Sequence, residues 1–234
     1  MITTKKSLYP VIHVQNVGQA LRNAQIAFEA ECDGVFLINH ENEDGIRDLN
    51  YSDLLEIHAA VAAQFPDWWI GVNCLDLAAA DVFQHLHPTV NGVWVDNGEI
   101  DETKPEQQAA QKNLDAKSQS GWQGVYFGGV AFKYQRPLEK IEDAARAAAI
   151  AAGFIDVVTT SGPGTGETAS IQKIKAMRKA LGDKPLGLAS GITPENIEQY
   201  LPWVDIFLVA TGISHSFYEL DAKKVRQLAR IVHN

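Results

Sequence analysis

The residues best equipped for chemistry stand at or near the ends of short apolar runs. Asp96 follows VWV, Glu41 follows VFLINH, Lys133 lies beyond GGVAF, and His13 sits inside PVIHVQ. Asp96 is placed as a general base, with Glu41 as its acidic partner, because environment can drive two carboxylates to different pKa values. An aspartate at a strand end serves equally as a turn-maker or helix cap. Lys133 could form an imine, polarise a carbonyl or neutralise a phosphate, and electrostatic binding is the favoured role. His13 has the in-out parity of Val11 and Gln15, so it points into the interior as acid, base or ligand, or as a hydrogen-bonded core histidine. His13, His40 and Asp96 could also meet around a divalent metal, but no short-range ligand spacing supports one, and no cofactor is expected.

A second set of residues suggests anion binding. Three apolar runs in the last third end in Gly, Ser and Thr: DVVTTSGPGTGET, PLGLASGIT and DIFLVATGIS. Small turns of this kind offer backbone N–H groups to an oxyanion. Gly191, Thr193, Thr211 and Gly212 are therefore the expected phosphate-binding residues, with a short helix opened by Thr193 and Pro194 aimed at the anion. Asn39, Asn73, Thr160, Ser161, Gly164, Thr165 and Ser190 are expected along the substrate. GPGTG fits neither GxxxxGK[ST] nor GxGxxG, so no nucleotide fold follows from it.

Positioning these groups requires strands that end on one face. Eight strand candidates are Pro10–Gln15, Gly34–Asn39, Trp69–Asn73, Gly92–Asp96, Gly124–Gly128, Ile155–Thr160, Leu186–Ser190 and Asp205–Ala210. Helical spacing predicts helices over Val17–Ala30, Ser52–Phe65, Leu77–His87, Pro105–Lys117, Leu138–Ala152, Ile171–Leu181, Pro194–Leu201 and Ala222–Val232. A quasi-repeat, CDGVFLIN, VNGVWVDN, WQGVYFGG, FIDVVTTS and WVDIFLVA, puts a polar or small residue before each apolar strand. Strict alternation predicts one α/β domain, residues 1–234, folded as a (β/α)8 TIM barrel with its chemistry at the C-terminal strand ends. Asn97–Glu106 reads as a solvated loop, or alternatively a lid, over the end of strand 4.

Composition narrows the function classes. A net charge of −9 gives no basic stripe to follow a nucleic-acid backbone. A phosphorylated small molecule is the expected partner, and homo-oligomerisation is left open. No apolar run is long enough for a membrane span, and no secretory h-region follows MITTKK, so a cytoplasmic protein is expected. Cys32 and Cys74 have no CxxC spacing and are read as buried thiols.

The segment DVVTTSGPGTGETASIQKIKAMRKALGDKPLGLASGITPENIEQYLPWVDIFLVAT, with GVFLINHENEDG, WIGVNCLDLAAA and GVAFKY upstream, resembles the photosystem I biogenesis BtpA family, also called BtpA/SgcQ-like. The resemblance implies a barrel of the ribulose-phosphate-binding type, with phosphate held by the loops after strands 7 and 8. VIHVQNVGQAL after the first strand and VWVDNGEIDE around strand 4 depart from the family pattern where a substrate would be chosen. The expected function is acid-base isomerase or lyase chemistry on a sugar phosphate or phosphoribosyl compound. The alternatives are a non-catalytic ligand sensor or assembly and biogenesis factor, or phosphoribosyl transfer, for which no acidic pair followed by a Gly/Thr loop is evident.

Overall fold

Eight short runs of buried residues pair side by side and in parallel, in chain order, and the last returns to the first, in a computed structural model that describes residues 6–41, 44–138 and 140–234. The strands are β1 (Ser7–His13), β2 (Gly34–Ile38), β3 (Trp69–Asn73), β4 (Gly92–Val95), β5 (Val125–Gly129), β6 (Val157–Thr160), β7 (Leu186–Ala189) and β8 (Ile206–Val209). The helices are α1 (Val17–Glu29), α2 (Tyr51–Gln64), α3 (Ala79–Val82), α4 (Gln108–Ser120), α5 (Ile141–Ala151), α6 (Ile171–Leu181) and α7 (Ala222–His233). This is a closed (β/α)8 TIM barrel. Among the described residues, no helix is long and apolar enough to cross a membrane.

Both faces of the strands are buried, which is why they read as nearly continuous apolar runs. One face, including Val11, Phe36, Trp94, Phe127, Val157 and Leu208, fills the barrel. Its aromatic rings interlock: Tyr9 lies 4.5 Å from Trp69, and Phe36 lies 5.1 Å from Phe127. The other face packs under the helices, which offer small residues at helical spacing, such as Ala20, Ala24 and Ala27 on α1. Helix starts are capped by Asn16, by Asn50 with a capping box through Asp53, and by Ser170 and Asp221.

Two predicted helices are shorter than expected. Leu77–His87 yields only α3 and a 3-10 turn at Phe83–His85, so the chain reaches Pro88 without a long amphipathic face. Pro194–Leu201 yields a 3-10 turn at Ile197–Gln199, with Pro202 just beyond Tyr200 and Leu201. The loop Asn97–Glu106 is anchored. Buried Glu102 accepts two hydrogen bonds from Arg136, at 2.7 and 2.6 Å, and Gln107 Nε2 donates to the Asp101 carbonyl.

The quasi-repeat has a definite role at the N-terminal end of the barrel. Asp33, Asn91, Asp156 and Asp205 immediately precede or adjoin β2, β4, β6 and β8, and their side chains accept the N–H of Leu8, Ile70, Tyr126 and Leu186 on the preceding odd-numbered strands. Each N–H in return donates from the clamp residue's backbone to the carbonyl of that same partner. Four such clamps tie the strands in pairs and set their register.

Candidate active site at the barrel mouth

Strand parity decides which side chains reach the mouth. Because Val11, Phe36, Trp94 and Val157 face the interior, the residues two further on, His13, Ile38, Asp96 and Thr159, continue that line upward, and His40 follows Ile38. Asn73 shares the inward line of Trp69 and is completely buried. The His13 and His40 rings lie 5.2 Å apart, and His40 and Lys133 are near enough to act on the charge of both His13 and Asp96.

Asp96 is anchored at both its backbone and its side chain. Asn73 Nδ2 donates to Asp96 Oδ1 at 3.0 Å, and Gln135 Nε2 donates to the Asp96 carbonyl at 2.7 Å. Burial raises the Asp96 pKa above the usual carboxylate value, while the bond from Asn73 and the nearby Lys133 and His40 partly oppose the rise. Asp96 and Lys133 both line a cavity of about 960 Å³ between the loops after β4 and β5.

His13 Nδ1 lies 2.9 Å from the Phe217 carbonyl, and its ring stacks on the Phe217 ring at 4.2 Å. A carbonyl only accepts, so Nδ1 carries the proton and Nε2 of the neutral ring is an acceptor. Burial, together with His40 and Lys133, pushes the His13 pKa down to about 4. The Phe217 loop is positioned by two buried amides: Gln19 Nε2 donates to the carbonyls of His13 and Tyr218, and Asn23 bonds Tyr218 and Leu220. Gln19, Asn23 and Phe217 were not expected from the sequence. The legible signal was a pair of amides four residues apart on the alanine face of α1.

The loop after β5 bends through two non-glycine residues with positive φ, Ala131 at 49° and Tyr134 at 61°. Between them, Lys133 donates from its backbone N–H to Ser161 Oγ at 2.8 Å and from Nζ to Thr165 Oγ1 at 3.1 Å. Tyr134 Oη shares the same Thr165 hydroxyl. Ser161 and Thr165 are thus brought to Lys133.

Other expected residues stand elsewhere. Glu41 is exposed and bonded to Arg47 at 3.1 Å, so no pairing with Asp96 is formed. Asn39 follows the outward parity of Leu37 and ties the loops after β2 and β3, donating to Asp76 and Leu49 and accepting from Leu75. Thr160 faces the helices and donates to the Ala131 carbonyl, so the inward threonine of that pair is Thr159. Gly164 lies against Glu167 in the loop after β6. Ser190 has a φ of 66° and the outward parity of Leu188.

The phosphate loops are packed backbone to backbone. A Cβ on Gly191, whose φ is 69°, would lie 2.5 Å from the Glu167 carbonyl; one on Gly212 would lie 1.9 Å from the Ile192 oxygen. Both glycines are required by close approach, so valine at either would displace the backbone. The Thr193 N–H is taken by Asn196 Oδ1 at 2.9 Å, and the helix expected to begin here is only a 3-10 turn with little dipole. Thr211 and Gly212 begin another 3-10 turn after β8, with Thr211 exposed. Among the described residues, no group of three or more His, Cys, Asp or Glu is arranged to hold a metal.

Residues 76–234 match the sequence model of the BtpA family, and the chain belongs to that family. No curated protein matches it. Its fold is similar to that of a phosphoribosyl anthranilate isomerase from Thermus thermophilus, at 16% identity, covering 96% of each chain with a TM-score of 0.65. It is also similar to the (S)-3-O-geranylgeranylglyceryl phosphate synthase from Thermoplasma acidophilum in complex with sn-glycerol-1-phosphate, at 14% identity, covering 97% of this chain and 93% of that one with a TM-score of 0.68. The orotidine 5'-monophosphate decarboxylase from Methanocaldococcus jannaschii, complexed with the inhibitor BMP, is 12% identical, with 99% and 100% covered and a TM-score of 0.69. These three likenesses are of fold, the closed (β/α)8 barrel that this chain forms.

Proposed function

We propose that this BtpA-family barrel binds a phosphorylated small molecule, a sugar phosphate or phosphoribosyl compound, across its mouth and carries out acid-base isomerase or lyase chemistry on it. The observation that carries the reading is the gathering of polar groups at the barrel mouth: the His13 and His40 rings lie 5.2 Å apart, and Asp96 and Lys133 line one cavity. The names of the three similar barrels all involve phosphorylated compounds, which supports the ligand class.

Asp96 is assigned proton transfer. Asn73 fixes Oδ1, leaving Oδ2 to meet a substrate proton, and the raised pKa makes this carboxylate a stronger base than an exposed one. Neutral His13 offers Nε2 as an acceptor that positions a hydroxyl, and Lys133 offsets negative charge that develops on the substrate. The phosphate is assigned to the backbone of Gly191, Thr211 and Gly212, across the mouth from Asp96, with Thr193 supporting the turn. Glu41, paired with Arg47, receives no chemical role.

The experiment is a binding screen of phosphorylated pentoses and phosphoribosyl compounds, followed by solvent-deuterium incorporation into those that bind. Asp96→Asn should leave binding within a few-fold and lower exchange or turnover by about 10²-fold or more. Thr211→Asp, which adds a like charge to the exposed turn, should weaken binding. A tight ligand with neither exchange nor product, indifferent to Asp96→Asn, would replace the enzyme reading with the ligand-sensing one.

A further inference from the structure

The loop after β5 has a second cavity on its other side. It measures about 510 Å³ and lies between the loops after β5 and β6 and the start of α6. Lys133, Arg136, Lys140 and Lys173 line it and, among the described residues, no Asp or Glu does, in a chain whose net charge is −9. Of these four cations, Arg136 alone has carboxylate partners among the described residues, Glu102 and Asp101. The cavity is therefore a local excess of positive charge on an acidic protein.

Lys173 is the group that most needs a counter-charge. Its ammonium donates to the carbonyls of Ser161, at 2.8 Å, and Ala131, both neutral acceptors. It occupies the first turn of α6, where the helix dipole disfavours a cation. Largely removed from water, its pKa is pushed down to about 8. A buried ammonium held only by neutral oxygens is stabilised strongly by an anion brought beside it.

We propose that this cavity is a binding subsite for an oxyanion, the phosphate or carboxylate group of a small molecule, with Lys173 as its principal charge and Lys133 and Lys140 completing the wall. The subsite is separate from the loops after β7 and β8 and does not rest on the chemistry assigned to Asp96. Lys133 lines both cavities, so an anion here would also alter the charge beside Asp96.

Calorimetric titration of the full chain with inorganic phosphate, and separately with citrate, tests the proposal, each variant being checked for folding by its thermal transition. At least one anion should bind saturably, with phosphate or citrate identifying the preferred group. Lys173→Met should weaken one binding event tenfold or more and exposed Lys140→Glu several-fold, while Thr211→Asp should leave that event unchanged and act only on a second one at the loops after β7 and β8. With sulfate, whose charge is constant in this range, affinity should fall between pH 7 and pH 9 as Lys173 loses its proton, and Lys173→Met should abolish that fall. Failure of both anions to bind overturns the proposal. So does binding that Lys140→Glu and a folded Lys173→Met leave intact; an anion displaced only by Thr211→Asp sits at the loops after β7 and β8 and supports the proposed function alone.

Discussion

The two ends of this barrel are built on opposite plans. At the N-terminal end, one device is used four times: a side chain beside each even-numbered strand accepts an N–H from the strand before it, through Asp33, Asn91, Asp156 and Asp205. Further side chains reinforce three of the four, with the His233 ring 2.8 Å from Asp33, and ion pairs from Lys117 to Asp156 and from Arg178 and Lys6 to Asp205. At the mouth nothing repeats. Asn73 Oδ1 and Thr159 Oγ1 are buried without a hydrogen-bond partner among the described residues, and Ala131, Tyr134 and Ser190 hold positive φ without being glycine. Positive φ at non-glycine residues is found at both ends, with Glu31 and Asp67 ahead of β2 and β3, so the contrast lies in the hydrogen bonds: repeated and reciprocal at one end, orphaned on inward side chains at the other, as expected of a stabilising end and a ligand-facing one.

The largest expected effect probes how well each end excludes water. His13 at the mouth and His58, whose Nε2 meets the Ile70 carbonyl, are both pushed by burial from 6.5 to about 4. As pH falls through 6.5, the unfolded chain protonates at both positions while the folded chain does not. Stability is therefore fully retained above pH 6.5 and lost as pH falls toward 4, by on the order of 3 kcal/mol for each histidine. Denaturant unfolding between pH 7 and pH 4 should show this slope, and His13→Asn and His58→Asn should each remove about half of it. If His58→Asn alone flattens the curve, the mouth is wetter than its geometry implies.

Substitutions at the two ends should also separate activity from stability. Asp96→Asn removes a carboxylate whose folded pKa is raised, so the folded protein should be unchanged or more stable at pH 7 even as turnover falls. Asp205→Ala should do the reverse. It takes the acceptor from the Leu186 N–H and the partner from Arg178, costing about 2 kcal/mol and lowering Tm by roughly 4–8 °C. Ligand affinity per folded molecule should not change. A loss of affinity in Asp205→Ala comparable to that in Thr211→Asp would show that the ends are mechanically coupled and the contrast is false.

The strands were legible because burial on both faces makes them short apolar runs between turn residues, and β3 was bounded to the residue. That same burial hides the side-chain parity. With no polar face to set the alternation, Thr160 and Asn39 were expected along the substrate, although their side chains bond backbone and loop groups outside the mouth. Asp96, Lys133 and His13 were legible from strand ends, whereas Gln19, Asn23 and Phe217 act across about two hundred residues of sequence. Lys173 was not singled out in the sequence, because the carbonyls that hold it come from two other loops. The two glycines after β7 and β8 were read from their spacing as phosphate turns, but loop-on-loop contact already requires them, so that spacing alone could not distinguish the two roles.

The smallest predicted effect tests whether the N-terminal clamps work by hydrogen bonding or by charge. Asn91 occupies the same position as the three aspartates and still accepts the Ile70 N–H at 2.8 Å, so a neutral amide is sufficient for the bond. Asp156 pairs with Lys117 while its side chain is nearly half exposed, and an ion pair in that setting is worth less than about 1 kcal/mol. Asp156→Asn keeps the acceptor for the Tyr126 N–H and removes only the pair, so its Tm should fall by no more than roughly 2–4 °C. Asp156→Ala removes both and should approach Asp205→Ala. Equal losses from Asn and Ala would mean that the charge, and not the shared hydrogen-bond geometry, is what the four clamps have in common with barrel stability, and the neutral clamp at Asn91 would then need a separate explanation.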